Sequence, residues 1–374
     1  MANISRLLLC LFCIMACSSE DMFDPQVVRM QIAPRQPGEI EFVHLTDIHG
    51  SNISLEPAAY YLENSDAAFG LLTGDVLASE HICKKLLNLT KPFLLIPGNH
   101  DIYTVYNGAV GQKGFRTKVL DSIGQERYVS YGDRNSSYWY TDFYSDGHTL
   151  RVIGIDQYEI ETVGHPNGTW NVHNLYSQKQ VDWLVDVLDH SYEVDGIIFA
   201  IHNGFGNKNV GARDTTAAVN SFTSILACHY DDGYNYLGNG NVTLIPDIVN
   251  AYQTGENLND KRYPNSVVVK DTLTVTTNFQ GPHDNFIAYF GGHLHWDVAE
   301  TLPYYPRQLQ VLLTYGGRNN SGKYDDLVRA FSDENFYAFN TCSVNFMRRE
   351  LKLKRIGANL KTDGTLRDSI VFKY

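Results

Sequence analysis

Pro92-Phe93-Leu94-Leu95-Ile96-Pro97-Gly98-Asn99-His100-Asp101 is the stretch on which the reading of this chain turns. A short apolar run reads as a buried strand, and it stops at Pro-Gly followed by three polar side chains. In open α/β sheets, ligands bind in the crevice outside the carboxyl ends of the strands. Working outward, two other strands end in the same way. Glu41 to Thr46 runs into Asp47-Ile48-His49, and Ala67 to Leu72 runs into Thr73-Gly74-Asp75. Between the second and third strands, Ile82, Leu86 and Leu89 recur at helical spacing within Ala78 to Leu89. Strand, helix, strand, helix, strand predicts a βαβαβ unit with a parallel sheet.

Further along, Tyr138 to Tyr144 and Leu150 to Ile155 read as strands joined through Ser145-Asp146-Gly147. Val181, Leu184, Val185 and Leu188 mark an amphipathic helix, which leads into a buried strand, Gly196 to Ile201, that ends in His202. Asn203 to Asn285 reads as a long irregular insertion rich in Gly, Asn, Thr and Tyr. Phe286 to Phe290 is a strand running into Gly292-His293-Leu294-His295, and Leu309 to Tyr315 is another. The alternating stretches Phe339 to Phe346, Leu351 to Ile356 and Ile370 to Tyr374 are expected to form an antiparallel second sheet.

With 374 residues, 43% of them apolar, the chain has ample material for a core. Its formal charge of −12 argues against a nucleic-acid partner, which would want clustered cations. Leu7 to Ala16 is apolar but too short to cross a bilayer, which needs about 20 residues; it has the length of a signal peptide. Ile14-Met15-Ala16-Cys17 resembles a bacterial lipobox, although Met15 departs from the usual pattern; Cys17 would then carry the lipid. Ordinary secretion with cleavage near Ala16 is the alternative, and either route leads out of the cytoplasm. The expected organisation is a signal peptide over 1–16, a tether over 17–39 and a catalytic core over 40–300 with its insertion at 203–285. C-terminal strands over 301–374 complete the second sheet. The expected location is an outer-membrane lipid anchor, on the periplasmic or cell-surface face. Cys83, Cys228 and Cys342 remain beyond the signal, and one disulfide or three thiols are equally open.

The polar residues at strand ends are Asp47, His49, Asp75, Asn99, His100, Asp101, His202, His293 and His295. A two-metal site holds its ions about 3.5–4 Å apart and so calls for a bridging ligand. Asp47 and His49, like His293 and His295, are two residues apart, which in an extended segment puts both side chains on one face. Singly, such pieces mean little, since Asp often caps a helix after a strand.

Taken in order, Asp47-x-His49, Gly74-Asp75, Gly98-Asn99-His100-Asp101, His202 and Gly292-His293-x-His295 resemble the motifs of calcineurin-like metallophosphoesterases. The resemblance covers roughly Glu41 to Asp297. It implies an α/β fold of two packed β-sheets flanked by helices, and two divalent ions, with Mn, Fe, Zn and Ni all suited to mixed N and O ligands. One ion would take Asp47, His49, Asp75 and His295; the other would take Asp75, Asn99, His202 and His293. His100 would face the substrate phosphate and the leaving oxygen, held by Asp101, which would raise its pKa. No Tyr follows Gly74-Asp75 at close spacing, which argues against a tyrosinate-iron site. The implied activity is hydrolysis of a phosphomonoester or phosphodiester by in-line attack of a metal-bridging hydroxide. Its substrate would be a phosphorylated small molecule, nucleotide, sugar or lipid head group. Within the insertion, Arg213, Tyr230 and Tyr234 are candidate substrate contacts, with plain loop chemistry as the duller account. A non-catalytic surface binding module on the same fold, or a nuclease or nucleotidase, is the competing reading.

Overall fold

The computed structural model describes residues 29–31, 37–102, 108–160, 176–205, 243–262, 272–302, 305–314, 316–317, 327–329, 336–361, 364–366 and 369–374. After a short strand, β1 (Arg29–Gln31), come β2 (Glu39–Leu45), α1 (Leu55–Asn64), β3 (Phe69–Thr73), α2 (Glu80–Leu87) and β4 (Phe93–Ile96). β2, β3 and β4 pair in parallel, as the βαβαβ pattern predicts. Every residue of β3 and β4 is buried, since helices cover one face and a second sheet the other. Ser79 starts α2 by accepting the Ile82 N–H on its hydroxyl.

β4 is the edge of its sheet, and its outer side is closed by side chains. Gln125 imitates a neighbouring strand: its Oε1 accepts the Leu95 N–H at 2.6 Å, and its Nε2 donates to the Leu95 carbonyl at 3.2 Å. Trp139 Nε1 donates to the same carbonyl at 2.9 Å. The strand then breaks at Pro97-Gly98 and turns into α3 (Asn99–Ile102). α4 (Gly111–Gly114) follows, and continues as a π-helical turn over Phe115–Leu120.

β5 (Ser130–Tyr131), β6 (Trp139–Ser145), β7 (His148–Gly154), α5 (Gln178–Asp189) and β8 (Gly196–Ala200) build the second layer. β6 and β7 meet at Asp146-Gly147, both left-handed, in the two-residue turn that suits a twisted hairpin. α6 (Leu244–Thr254), β9 (Asn259–Arg262), β10 (Leu273–Thr276), β11 (Phe286–Gly291), β12 (Val298–Leu302) and β13 (Tyr305–Leu312) follow. The second sheet runs β1-β6-β7-β8-β11-β13-β12, with β5 on β6.

Two expectations are corrected. The tail strands β14 (Ala338–Asn345), β15 (Glu350–Gly357) and β16 (Ser369–Lys373) do not make or complete a separate second sheet. β14 lies antiparallel on β2, and the first sheet reads β16-β15-β14-β2-β3-β4. Alternating polarity tells which faces are buried, not which strand is the neighbour. The insertion is also not wholly irregular, since α6 and the antiparallel pair β9–β10 fall inside it. Leu244, Ile245, Ile248, Val249 and Tyr252 form a helical stripe packed against the second sheet.

The two sheets pack face to face. Phe69 stacks on Phe143 with ring centroids 4.0 Å apart, and Phe42 meets Phe290 edge-on at 5.2 Å. β8 shows the layering: Ile198 and Ala200 join the core between the sheets, while Ile197 and Phe199 pack under α5 and α6. The result is helix, sheet, sheet, helix, with the carboxyl ends of β2, β3, β4, β8 and β11 gathered at one edge. Among the described residues, no helix is long and apolar enough to cross a membrane.

Candidate metal centre

The strand ends converge through turns rather than through extended chain. β2 stops at Leu45 and β11 at Gly291, so both His-containing pairs lie beyond their strands. Asp47 (φ 50°), His49 (44°), Asp75 (53°), His293 (71°) and His295 (60°) all adopt left-handed backbone. The two-residue spacing therefore works by successive turns, not by the shared face of a strand. Such conformations cost of order 1–3 kcal/mol each and persist where the surroundings enforce them. The turns also pack very closely. A Cβ on Gly98 would collide with Asp75, and one on Gly292 with Thr46 and Asp47.

Two ligand groups result, Asp47, His49, Asp75 and His295 in one, and Asp75, His202 and His293 in the other. Asp75 belongs to both. In the first, Asp47 Oδ1 lies 3.2 Å from His295 Nε2, and His49 Nε2 lies 3.6 Å from Asp75 Oδ2. In the second, His202 Nε2 is 3.4 Å from Asp75 Oδ2. Asn99 joins this group, with its Oδ1 3.1 Å from His202 Nε2 and 3.0 Å from His293 Nδ1.

These residues fit a pair of divalent ions. Ligand atoms about 2.0–2.2 Å from one ion, at tetrahedral to octahedral angles, stand roughly 2.8–3.6 Å from each other. Asp47 Oδ1 is fully buried, and among the described residues its closest nitrogen, His295 Nε2 at 3.2 Å, stands off hydrogen-bond geometry. A buried carboxylate oxygen aimed at a cluster of ligand nitrogens calls for a cation. The protonation pattern agrees. Burial opposes charge on His202, but Asp75 and Asp47 outweigh it and lift its pKa to about 9. Burial likewise opposes the Asp75 carboxylate, and His202 still holds it well below the usual range. The acids demand positive charge from whatever occupies the space between them.

The ligands are oriented from behind. His202 Nδ1–H donates to the Thr73 carbonyl at 2.7 Å, which turns Nε2 toward Asn99 and Asp75, where it can bind an ion once its proton is displaced. The backbone of His202 is gripped by Gln157, whose Oε1 accepts the N–H groups of His202 and Asn203, both at 2.7 Å. Gln157 Nε2 donates to the Asn203 carbonyl at 2.9 Å. Asp47 Oδ2 accepts the Thr46 hydroxyl at 2.7 Å and the His293 N–H at 2.9 Å. Thr314 donates its hydroxyl to the His295 carbonyl at 2.8 Å. Sequence reasoning missed Gln157, Thr46 and Thr314. Gln157 had a signal: it follows β7, as the ligands follow their own strands.

His100 stands at the open side, 27% exposed, with its Nε2 3.9 Å from Asp75 Oδ2 and its ring edge-on to His49. Its N–H donates to Asp75 Oδ1 at 2.8 Å. The expected hold of Asp101 on His100 is corrected. Asp101 instead accepts backbone N–H groups from Gly98 at 2.9 Å, Val76 at 3.2 Å and Leu77 at 2.7 Å. Adjacent residues on a helical turn point about 100° apart, so one faces the cleft while the other is buried between the β3 and β4 loops. Nor does Asp101 raise the pKa of His100. Burial brings His100 down to about 4, with Asp75 pulling the other way.

His44 is a packed residue, 3.0 Å from the Thr73 hydroxyl through Nε2 and pushed down to about 3 chiefly by burial. His283 stacks on Tyr252, and Asp284 pairs with Arg307 and Arg349, so neither backs the ligands. Cys83 and Cys342 are free and buried. Cys17, Arg213, Cys228, Tyr230 and Tyr234 lie outside the described residues.

A family model described as "Calcineurin-like phosphoesterase" matches residues 40–297. No curated protein matches the chain. Among solved structures, a dimetal phosphatase from Danio rerio is similar at 13% identity and a TM-score of 0.49, over 91% of this chain and all of that one. GAP50 of Plasmodium, described as the anchor in the inner membrane complex, is similar at 10% identity and a TM-score of 0.44, over 90% of this chain and 89% of that one. A putative 5'-nucleotidase from Staphylococcus aureus is similar at 11% identity and a TM-score of 0.40, over 86% of this chain and 54% of that one.

Proposed function

The chain belongs to the calcineurin-like phosphoesterase family and is a hydrolase of phosphoric esters; from that premise we propose how and where it acts. The observation that carries the reading is the Asp75 carboxylate, common to both ligand groups, with His100 beside it on the open side. Two divalent ions, when bound, polarise the phosphoryl oxygens and activate the attacking water for in-line displacement. Asp47 and Asp75 supply two negative charges against four positive ones, so the centre attracts an anionic ester although the chain carries −12.

His100 is positioned to donate a hydrogen bond to the phosphoryl group and a proton to the leaving oxygen. Its pKa of about 4 reflects a buried ring. A phosphate anion bound against the ring moves that value upward, toward the range a general acid needs. Asp101 acts one step back by fixing the β3 and β4 loops, and so by fixing where Asp75 and His100 stand relative to each other.

The apolar segment Leu7 to Ala16 and the lipobox-like Ile14 to Cys17 support action outside the cytoplasm, on a lipid anchor at Cys17. A phosphorylated small molecule, nucleotide, sugar or lipid head group is the proposed substrate class. The test is turnover of p-nitrophenyl phosphate and its bis ester by the mature protein loaded with Mn, Zn, Fe or Ni. Metal-dependent release from either ester is expected. No release from either would favour the binding module.

A further inference from the structure

Asp297 and Arg355 form an ion pair buried between the two sheets, 4% and 7% exposed. Asp297 ends the turn that carries His293 and His295, and Arg355 stands on β15 of the first sheet. The guanidinium donates through Nη2 to Asp297 Oδ2, and among the described residues its Nε and Nη1 meet no acceptor. Its charge is therefore committed to one partner. Stability is a poor reason to keep such a pair, because replacing both charges by apolar side chains is often neutral or stabilising. What the pair fixes is a place.

Its contacts run on toward one ion. Asp297 Oδ1 accepts the Thr314 N–H at 3.2 Å, just past β13, and the Thr314 hydroxyl donates to the His295 carbonyl at 2.8 Å. Close behind, Gly316 N–H donates to the Thr46 carbonyl at 3.1 Å and Gly317 N–H to the Asp47 carbonyl at 3.0 Å. The segment anchored by Asp297 thus holds the backbone of His295 on one side and of Asp47 on the other. Both belong to the first ligand group, Asp47, His49, Asp75 and His295. The ligands of the second group are held from elsewhere, His293 by Asp47 Oδ2 through its N–H and His202 by Gln157.

The backbone at these two ligands needs holding. His295 and Asp47 are left-handed, at φ 60° and 50°, a conformation that persists only where the surroundings enforce it. We propose that Asp297 and Arg355 are a positioning pair for the ion of the first group, acting through Thr314, Gly316 and Gly317 on His295 and Asp47. The inference rests on the two-ion reading of the centre. It gives the tail a part in the chemistry, since Arg355, Thr314, Gly316 and Gly317 all lie beyond the residues that match the family.

The test is calorimetric titration of Mn into the metal-free protein. His295→Ala, which removes a ligand of the first ion, and His202→Ala, which removes one of the second, identify the two binding steps. Thr314→Val keeps the shape of the side chain and removes its hydroxyl. It should weaken the first ion about 10–100-fold, the usual effect of losing an outer contact, and leave the second unchanged. Thr314→Ser, which keeps the hydroxyl, should bind both ions as the parent chain does. Arg355→Met should reproduce the selective loss seen in Thr314→Val. If it does not fold, Arg355→Met combined with Asp297→Asn, which leaves no lone buried charge, is measured in its place with the same expectation. Equal weakening of both ions, or of neither, in Thr314→Val or in the Arg355 variant overturns the proposal and leaves the two-ion reading standing. A parent chain that binds fewer than two ions overturns both.

Discussion

Gln157 holds His202 by its backbone, accepting the His202 N–H on Oε1 at 2.7 Å while the imidazole reaches toward Asp75. The same oxygen takes the Asn203 N–H, so one amide fixes the whole turn after β8. Gln157→Leu keeps most of the volume and strands two buried donors. Loss of such an outer contact typically costs 10–100-fold in metal affinity. Weakening of that order is expected for the ion of Asp75, Asn99, His202 and His293, with the other ion unaffected, in a calorimetric titration of Mn into metal-free protein. Equal weakening at both ions, or none, would remove Gln157 from a positioning role.

Asp75→Ala behaves differently, because this carboxylate serves both groups. Metal content measured by elemental analysis after dialysis should fall at both positions, and turnover should fall with it. Retention of two equivalents would show that Asp75 does not bridge.

The neighbours His100 and Asp101 separate by readout. His100→Asn should lower kcat by about 10²–10⁴-fold with both metals retained and little change in melting temperature. Asp101→Ala removes the acceptor for three amides and should cost about 2–4 kcal/mol of stability, seen in urea denaturation. If Asp101→Ala instead copied His100→Asn at unchanged stability, the clamp reading would fail.

Asp156, which is not itself a ligand but precedes Gln157, gives a pH signature of its own. Burial first, and then Glu159, raises its pKa to about 7 in the folded protein, against about 3.9 unfolded. Between those values the folded state holds a proton that the unfolded state has released. Stability therefore falls as pH rises from about 4 and levels off above about 7. Asp156→Asn removes that slope, and its amide has an acceptor in Gln112 Oε1, which meets no donor among the described residues. Melting curves at pH 5 and pH 8 should converge for the variant relative to the parent chain, and an unchanged gap would contradict the raised pKa.

The parallel βαβαβ core was legible because each buried strand ended in Asp, His or Asn, which a core does not want. The seven ligand candidates came from that one rule together with a family resemblance, and the structure brings all seven together. β7 delivers Asp156-Gln157 at its carboxyl end just as β8 delivers His202, but an amide that grips backbone does not stand out in sequence as an imidazole ligand does. The role of Asp101 is hidden for another reason. Adjacency to His100 in sequence suggested contact, whereas a helical turn separates neighbours and buries one of them. The tail strands were recognised but misplaced, since their pairing with β2 depends on edges that only the assembled sheet defines.

The closed outer side of β4 has a meaning for how the molecule behaves among its own copies. An exposed sheet edge is a template on which another chain can add a strand. Here that edge lies on the strand leading directly into Asn99 and His100, so pairing there would lay foreign backbone beside the reaction centre. Gln125 and Trp139 occupy the hydrogen-bonding positions of Leu95 in advance. Strand addition at Leu95 is thereby disfavoured on the edge that leads into Asn99 and His100.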